Sequence, residues 1–209
     1  MKKSLYIYGA GGLGREVLSW LPLLADWEPA GFIDDTAIPG SYVKGLPVIG
    51  GKGVLGQMEM PNVVLAIGNP FTKKMIVQQL QNINITYPVL IHPSVIFGDQ
   101  QTIMIGDGCV LAAGSILTTD IRMGTHVLIN LNCTIGHDTS IGDFSSFMCG
   151  INIAGEVHIG ESVLVGSGAN IRNRIHVGHG SVVGMGAAVI RDVAPETVVV
   201  GVPAKTMNP

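Results

Sequence analysis

Of the six histidines in the 209-residue chain, His137 alone is followed at once by a carboxylate, Asp138. A carboxylate beside an imidazole accepts the proton on one ring nitrogen, orients the ring and raises its basicity, leaving the other nitrogen free for a reactant. This pair is a candidate general base. A second stretch with chemical potential is GAGGLG, where Gly9, Gly11 and Gly14 fit GxGxxG and missing side chains would let phosphate oxygens approach N–H groups at a helix N-terminus. Asp34 and Asp35 close the stretch FIDD about 20 residues later, a position suited to a ribose hydroxyl. Cations are few, 12 Lys and Arg against 15 Asp and Glu, so an anionic ligand must be met by a local cluster. Arg172, Arg174 and Arg191 form one such group, with Lys205 following in GVPAK.

These residues need a frame, and a repeat of period six supplies it. Stepping by six from Ile105 gives Ile105, Leu111, Leu117, Met123, Ile129, Ile135, Ile141, Phe147, Ile153, Ile159, Val165, Ile171, Val177, Val183 and Val189, all apolar. The position after these anchors is often Gly, as at 106, 124, 136, 142, 160, 166, 178 and 184, which suits a sharp corner. Four places after each anchor stands a small or β-branched residue, from Cys109 to Val193. A helix of period 3.6 cannot hold a six-residue register, whereas short strands of a triangular parallel solenoid can. Three hexads then make one coil, and coils stack about 4.8 Å apart. On that stacking, Gly155 and Asn173 lie one and two coils above His137 on one outward corner, with the arginines higher on the same edge.

The N-terminal third reads differently. LYIY is an apolar strand, the Gly-rich turn follows, and REVLSWLPLL is a helix; PAGFIDD and NVVLAIG are further strands, the latter ending before Gly68 and Asn69, and KKMIVQQLQ is a helix. The expected organisation is a Rossmann-like α/β domain over residues 1–90 and a parallel β-helix over 91–209. A nicotinamide dehydrogenase does not fit, because the domain is half the size of a dinucleotide fold and no dehydrogenase residue set follows. Two readings of the glycines stay open: a phosphate cradle, or a tight strand-to-helix turn and nothing more.

Composition narrows the field. A formal charge of -3 gives no basic stripe for nucleic acid, and no stretch approaches the roughly 20 apolar residues of a membrane span. Charged residues make up 13% while Gly occupies 29 positions, which excludes a disordered chain. Cys109, Cys133 and Cys149 are odd in number and lack a CxxC pair, as expected of buried, reduced thiols in a cytoplasmic protein.

Hexads such as IGDGCV, IGHDTS, IGDFSS and IGESVL, followed by GVPAK, resemble the left-handed β-helix acyltransferases. Within them the whole chain is similar to the sugar acetyltransferases that include sialic-acid O-acetyltransferases and nucleotide-amino-sugar N-acetyltransferases. The resemblance implies a left-handed coil, a homotrimer, acetyl-CoA as cosubstrate and no metal. It implies that His137 is the general base and Asp138 its orienting acid, where relatives often carry Glu. It implies an oxyanion donor in the N–H of Gly155, and donor contacts from Ser146, which stands where a relative has a second histidine, and from Asn173, Arg174, Arg191 and Lys205. It implies an acceptor nucleotide at Gly11, Gly12, Leu13, Asp34, Asp35 and Asn69, with Leu13 where some relatives have His, and it makes the interdomain His92 a further candidate. The expected activity is acetyl transfer to the amino group of a nucleotide-linked sugar. O-acetylation of sialic acid or another surface-polysaccharide sugar is the nearest alternative, and a non-catalytic assembly solenoid, against which the His–Asp corner argues, is another.

Overall fold

The computed structural model describes residues 2–207. Its N-terminal part is a five-stranded sheet, ordered β3-β4-β2-β1-β5, with β1 at Lys3–Tyr8, β2 at Trp27–Ile33, β3 at Tyr42–Val43, β4 at Leu46–Gly50 and β5 at Asn62–Leu65. Helix α1 spans Gly12–Trp20 and α2 Pro70–Leu80. Strands β1, β2, β4 and β5 are parallel, as the alternation of strand and helix predicts. β3 and β4 form an antiparallel hairpin that hydrophobic periodicity does not reveal. Its turn is carried by Lys44 and Gly45 at φ 51° and 81°, a primed-type turn recognisable only by its conformation.

The remainder is a three-faced prism of two-residue parallel strands. Face I runs from Leu90–Ile91 to Val198–Val200, face II from Ile96–Phe97 to Ala188–Val189, and face III from Met104–Ile105 to His176–Val177. The coil therefore begins before Ile105 and continues past residue 194, further than the uninterrupted repeat indicates. The step from Phe97 to Ile105 carries two extra residues in a 3-10 turn at Gln100–Thr102, capped by the Asp99 carboxylate, and this masks the earlier hexads.

Anchors from Leu111 to Val189 and the whole fourth column from Cys109 to Val193 are buried and form one continuous core. Hydroxyls in that column remain tolerable inside because each finds a backbone acceptor: Ser115 Oγ donates to Asn130 O and Ser145 Oγ to Gly160 O, both at 2.9 Å. Cys109 and Cys133 are buried free thiols, but Cys149 is exposed on a corner, contrary to expectation.

The glycines after the anchors stand, as the sharp corner implies, where a Cβ would crowd the backbone: on Gly136, for example, it would sit 2.6 Å from Ala154 C and Gly155 N of the coil above. The left-handed residue is the third after each anchor, in an unbroken series from Gly108 to Gly186 that includes Asp120, Asp138 (φ 55°), Glu156 (φ 59°) and Arg174 (φ 60°).

The N-terminal domain packs on face I. Leu5, Val17 and Trp20 share a core with Leu90, Val110 and Leu128, and α2 sends Lys73 and Lys74 to Ser146 and Glu161.

Candidate active site

His137 sits on the corner that joins face II to face III, between the strands Thr134–Ile135 and Ser140–Ile141. Its Nδ1 lies 2.8 Å from Asp138 Oδ2, and both side chains are more than half exposed, at 55% and 60%. The left-handed backbone of Asp138 turns the carboxylate back toward its neighbour. The other side of the ring faces Gly155, where an added Cβ would lie 2.5 Å from Cε1 and closer still to Nε2. Glycine is thus what leaves the imidazole room. No acceptor among the described residues takes the Gly155 N–H, and the residue is buried beneath the His137 ring.

Coil stacking follows the spacing read from the sequence. The Glu156 N–H donates to His137 O at 2.7 Å and the Arg174 N–H to Gly155 O at 3.2 Å. His137, Gly155, Asn173 and Arg191 therefore share one edge, and Asn173 and Arg191 are exposed on it. The edge is flanked by a groove of about 410 Å³ on face II, bordered by Asn152, Asn170, Arg172 and Ile190, and by one of about 330 Å³ on face III, bordered by Asp120, Arg122, Asp138 and His158.

Two expected contacts fall elsewhere, and a third is engaged within the chain. Ser146 is fully buried on face I, where its Oγ accepts a hydrogen bond from Lys73 Nζ at 3.0 Å; it cannot touch a ligand on the II–III edge, because its strand lies under α2. Lys205 belongs to the hairpin that caps face I, not to the His137 column. Arg174 is on the edge, but its Nε is engaged 3.0 Å from both carboxylate oxygens of Glu156.

The Gly-rich turn divides its glycines between two tasks. Gly9 has φ 107° with Ala66 O 2.9 Å from its missing Cβ, and a Cβ on Gly14 would strike Gly9 O; both serve the tight strand-to-helix packing. Gly11 and Gly12 have nothing within 4 Å, and Gly11 caps α1 without any side-chain hydrogen bond. Gly11 and Gly12 are exposed at a helix end that has no side-chain cap, while Leu13 beside them packs against the shared core.

The aspartates behind the turn are heavily used within the chain. Asp34 accepts from the N–H groups of Ala10, Thr36 and Ala37; burial works against its ionisation, but these bonds hold it below the usual carboxylate range. Asp35 accepts from Tyr8 Oη at 2.7 Å and from the Lys52 N–H at 2.8 Å, and is likewise lowered against burial. Asn69 caps α2 through Thr72 N at 3.0 Å. His92 packs edge-on against Trp20 and bonds Ser94 through Nδ1. Sequence reasoning passed over Glu156 and Lys73. Glu156 was findable by carrying the 18-residue stacking from Asp138 upward; Lys73 has no signal, since only the docking of α2 buries it.

Residues 4–80 match the family model described as PglD N-terminal domain. The chain is 27% identical over 166 residues to the GDP-perosamine N-acetyltransferase of Escherichia coli O157:H7, covering 77% of this chain and 74% of that protein. Its structure superposes on the acetyltransferase domain of PglB from Neisseria gonorrhoeae FA1090 with a TM-score of 0.91 at 30% identity, over 99% of this chain and 100% of that one. The chain belongs to the hexapeptide-repeat sugar acetyltransferase family. A second structure of the PglB domain is a complex with acetyl coenzyme A, at 28% identity and a TM-score of 0.89 over 99% and 100% of the two chains. A mutant perosamine N-acetyltransferase from Caulobacter crescentus, in complex with CoA and GDP-perosamine, superposes with a TM-score of 0.91 at 26% identity over 99% and 97%. As a member of this family the chain is an acyltransferase whose prism is the left-handed β-helix that the hexads imply.

Proposed function

We propose that this sugar acetyltransferase moves the acetyl group of acetyl-CoA to the amino group of a nucleotide-linked sugar, with His137 as general base. The observation that carries the reading is the His137–Asp138 pair facing the bare backbone of Gly155. The acceptor amine attacks the thioester carbonyl, the carbonyl oxygen gains charge, and the amine must lose a proton as the tetrahedral intermediate forms. With Nδ1–H donating to Asp138, Nε2 is the unprotonated nitrogen and takes that proton. The free N–H of Gly155 can donate to the oxyanion. The thiolate of CoA then leaves, and the imidazolium can return a proton to it. Asn173 and Arg191, higher on the edge, and the groove on face II suit the amides and phosphates of a CoA arm.

Gly11 and Gly12 at the N-terminus of α1 suit the acceptor's diphosphate, with Asp35 and Asn69 close to the same end of the sheet. These residues sit on the domain that covers face I, whereas His137 lies on the opposite II–III edge. An acceptor held in one chain thus reaches the base of another, so the working enzyme is an oligomer, and a homotrimer of parallel prisms satisfies this with closed symmetry.

Acetyl-CoA turnover with a panel of UDP- and GDP-linked amino sugars tests the reading: His137→Ala lowers kcat by roughly 10²- to 10⁴-fold with the fold intact. Near-full activity in that variant ends the base assignment. Turnover restricted to sugars bearing only hydroxyl acceptors replaces N- with O-acetylation.

A further inference from the structure

The left-handed residues of the II–III edge form a column: Asp120, Asp138, Glu156 and Arg174. Two of its acidic residues adjoin His137. Asp138 bonds Nδ1 on one side. Glu156, one coil up, follows the glycine against which Nε2 packs, and its N–H donates to His137 O. The Glu156 carboxyl is held below its ordinary range by the hydrogen bond from Arg174, and Glu156 adjoins Gly155, the residue packed on the ring, so its side chain starts from the same corner as the imidazole. Both of its oxygens lie 3.0 Å from Nε of Arg174, which stands one coil further from His137.

That orientation matters for a base. An imidazole with one carboxylate on Nδ1 keeps a lone pair on Nε2 for the acceptor. An imidazole between two carboxylates is held as imidazolium, with both nitrogens protonated and no lone pair to offer. Resting on the assignment of His137 as base, we infer that Arg174 is a positioning residue that draws Glu156 away from His137 Nε2 and thereby keeps the base competent. The remaining charged or titratable groups on this edge and its flanking grooves are Asp120 below, Arg172 and Arg191 above, and Arg122 and His158 on the adjoining strands of face III. None of these holds Glu156 among the described residues, so the restraint falls to Arg174.

Arg174→Met tests this in the intact oligomer. It is expected to move the acidic limb of kcat/KM about one unit toward higher pH, to lower kcat roughly threefold near neutral pH and toward tenfold on the acid side, and to leave the acetyl-CoA KM within about twofold. Removing the second carboxylate reverses the defect: Arg174→Met combined with Glu156→Gln returns both kcat and the pH profile toward those of the unmodified enzyme. A ¹⁵N signal of His137 Nε2 that shifts toward the protonated, bonded position in Arg174→Met, compared at one pH, is the matching readout without turnover. A raised acetyl-CoA KM with an unmoved pH profile, or a double variant as slow as the single one, overturns the proposal and makes Arg174 a donor contact. Should His137→Ala retain activity, the base assignment fails on its own, and the Nε2 signal still decides whether Arg174 restrains Glu156.

Discussion

Lys73 poses a problem opposite to that of His137. The histidine is exposed and paired, whereas the lysine is buried and has one neutral partner, Ser146 Oγ. Burial drives its pKa down to about 7 from the ordinary 10.5. Below about pH 7 both folded and unfolded chains carry the proton, and the folded state bears the full cost of a buried ammonium. Between 7 and 10.5 the unfolded chain holds a proton that the folded one has released, so stability rises with pH across that window. Lys73→Met should therefore stabilise the protein at pH 6, by about 1–3 kcal/mol after loss of the Ser146 bond, and the gain should fade toward pH 10. Thermal melts of the two proteins at those pH values check the sign. An advantage that grows with pH would contradict the buried-charge account.

At the scale of the element, the corner and the helix end each make a separable demand. Gly155 has an ordinary φ, so Gly155→Val does not strain the backbone; it places a branched side chain on the His137 ring and over the free N–H. We expect kcat to fall about 10²-fold with little change in melting temperature, measured alongside the unmodified enzyme. Gly11→Asp makes the opposite trade. A carboxylate at that uncapped position satisfies the first turn of α1 and should preserve or raise stability, while its charge repels an acceptor diphosphate. The KM for the nucleotide sugar should rise tenfold or more; an unchanged KM would leave the turn a purely structural device. These elements also show how far the sequence can be read. The anchor column, the His–Asp pair and the glycine one coil above it follow from period six alone, because a solenoid converts sequence spacing directly into spatial neighbourhood. What spacing does not convey is conformation and docking. The left-handed turn falls on the third corner residue, a column of mixed residue types, the hairpin at Lys44 and Gly45 had too little hydrophobic pattern to be seen, and Ser146 was lost to a helix from another part of the chain.

For the whole molecule, what decides is that the proposed acceptor turn belongs to the domain packed on face I while the proposed base, His137, stands on the II–III edge. A cis site and a trans site give different arithmetic. Chains with His137→Ala keep an intact helix end, and chains with Gly11→Asp keep an intact base. If each site takes one part from each of two copies, coexpressing the two in equal amounts restores about a quarter of full activity, because one pairing in four joins two intact halves. Independent chains would restore none. Steady-state turnover of the mixed oligomer, with each pure variant as control, checks this.

The two extra residues before Ile105 show where the chain tolerates a change of length. From there to Val189 the molecule behaves as a ruler with a fixed graduation: pairing partners such as His158 and His176 stand 18 apart, so the coil number of a residue sets its height and its remainder sets its edge, until the last coil shortens by two residues, pairing Val182 with Val198. Adding or removing one whole coil above the active corner would lengthen or shorten the donor groove and keep the chemistry aligned. An indel of any other size there would turn the upper arginines onto another face. Family members can thus vary the reach of the site by counting in coils, while the lower turn absorbs irregular lengths without disturbing the base.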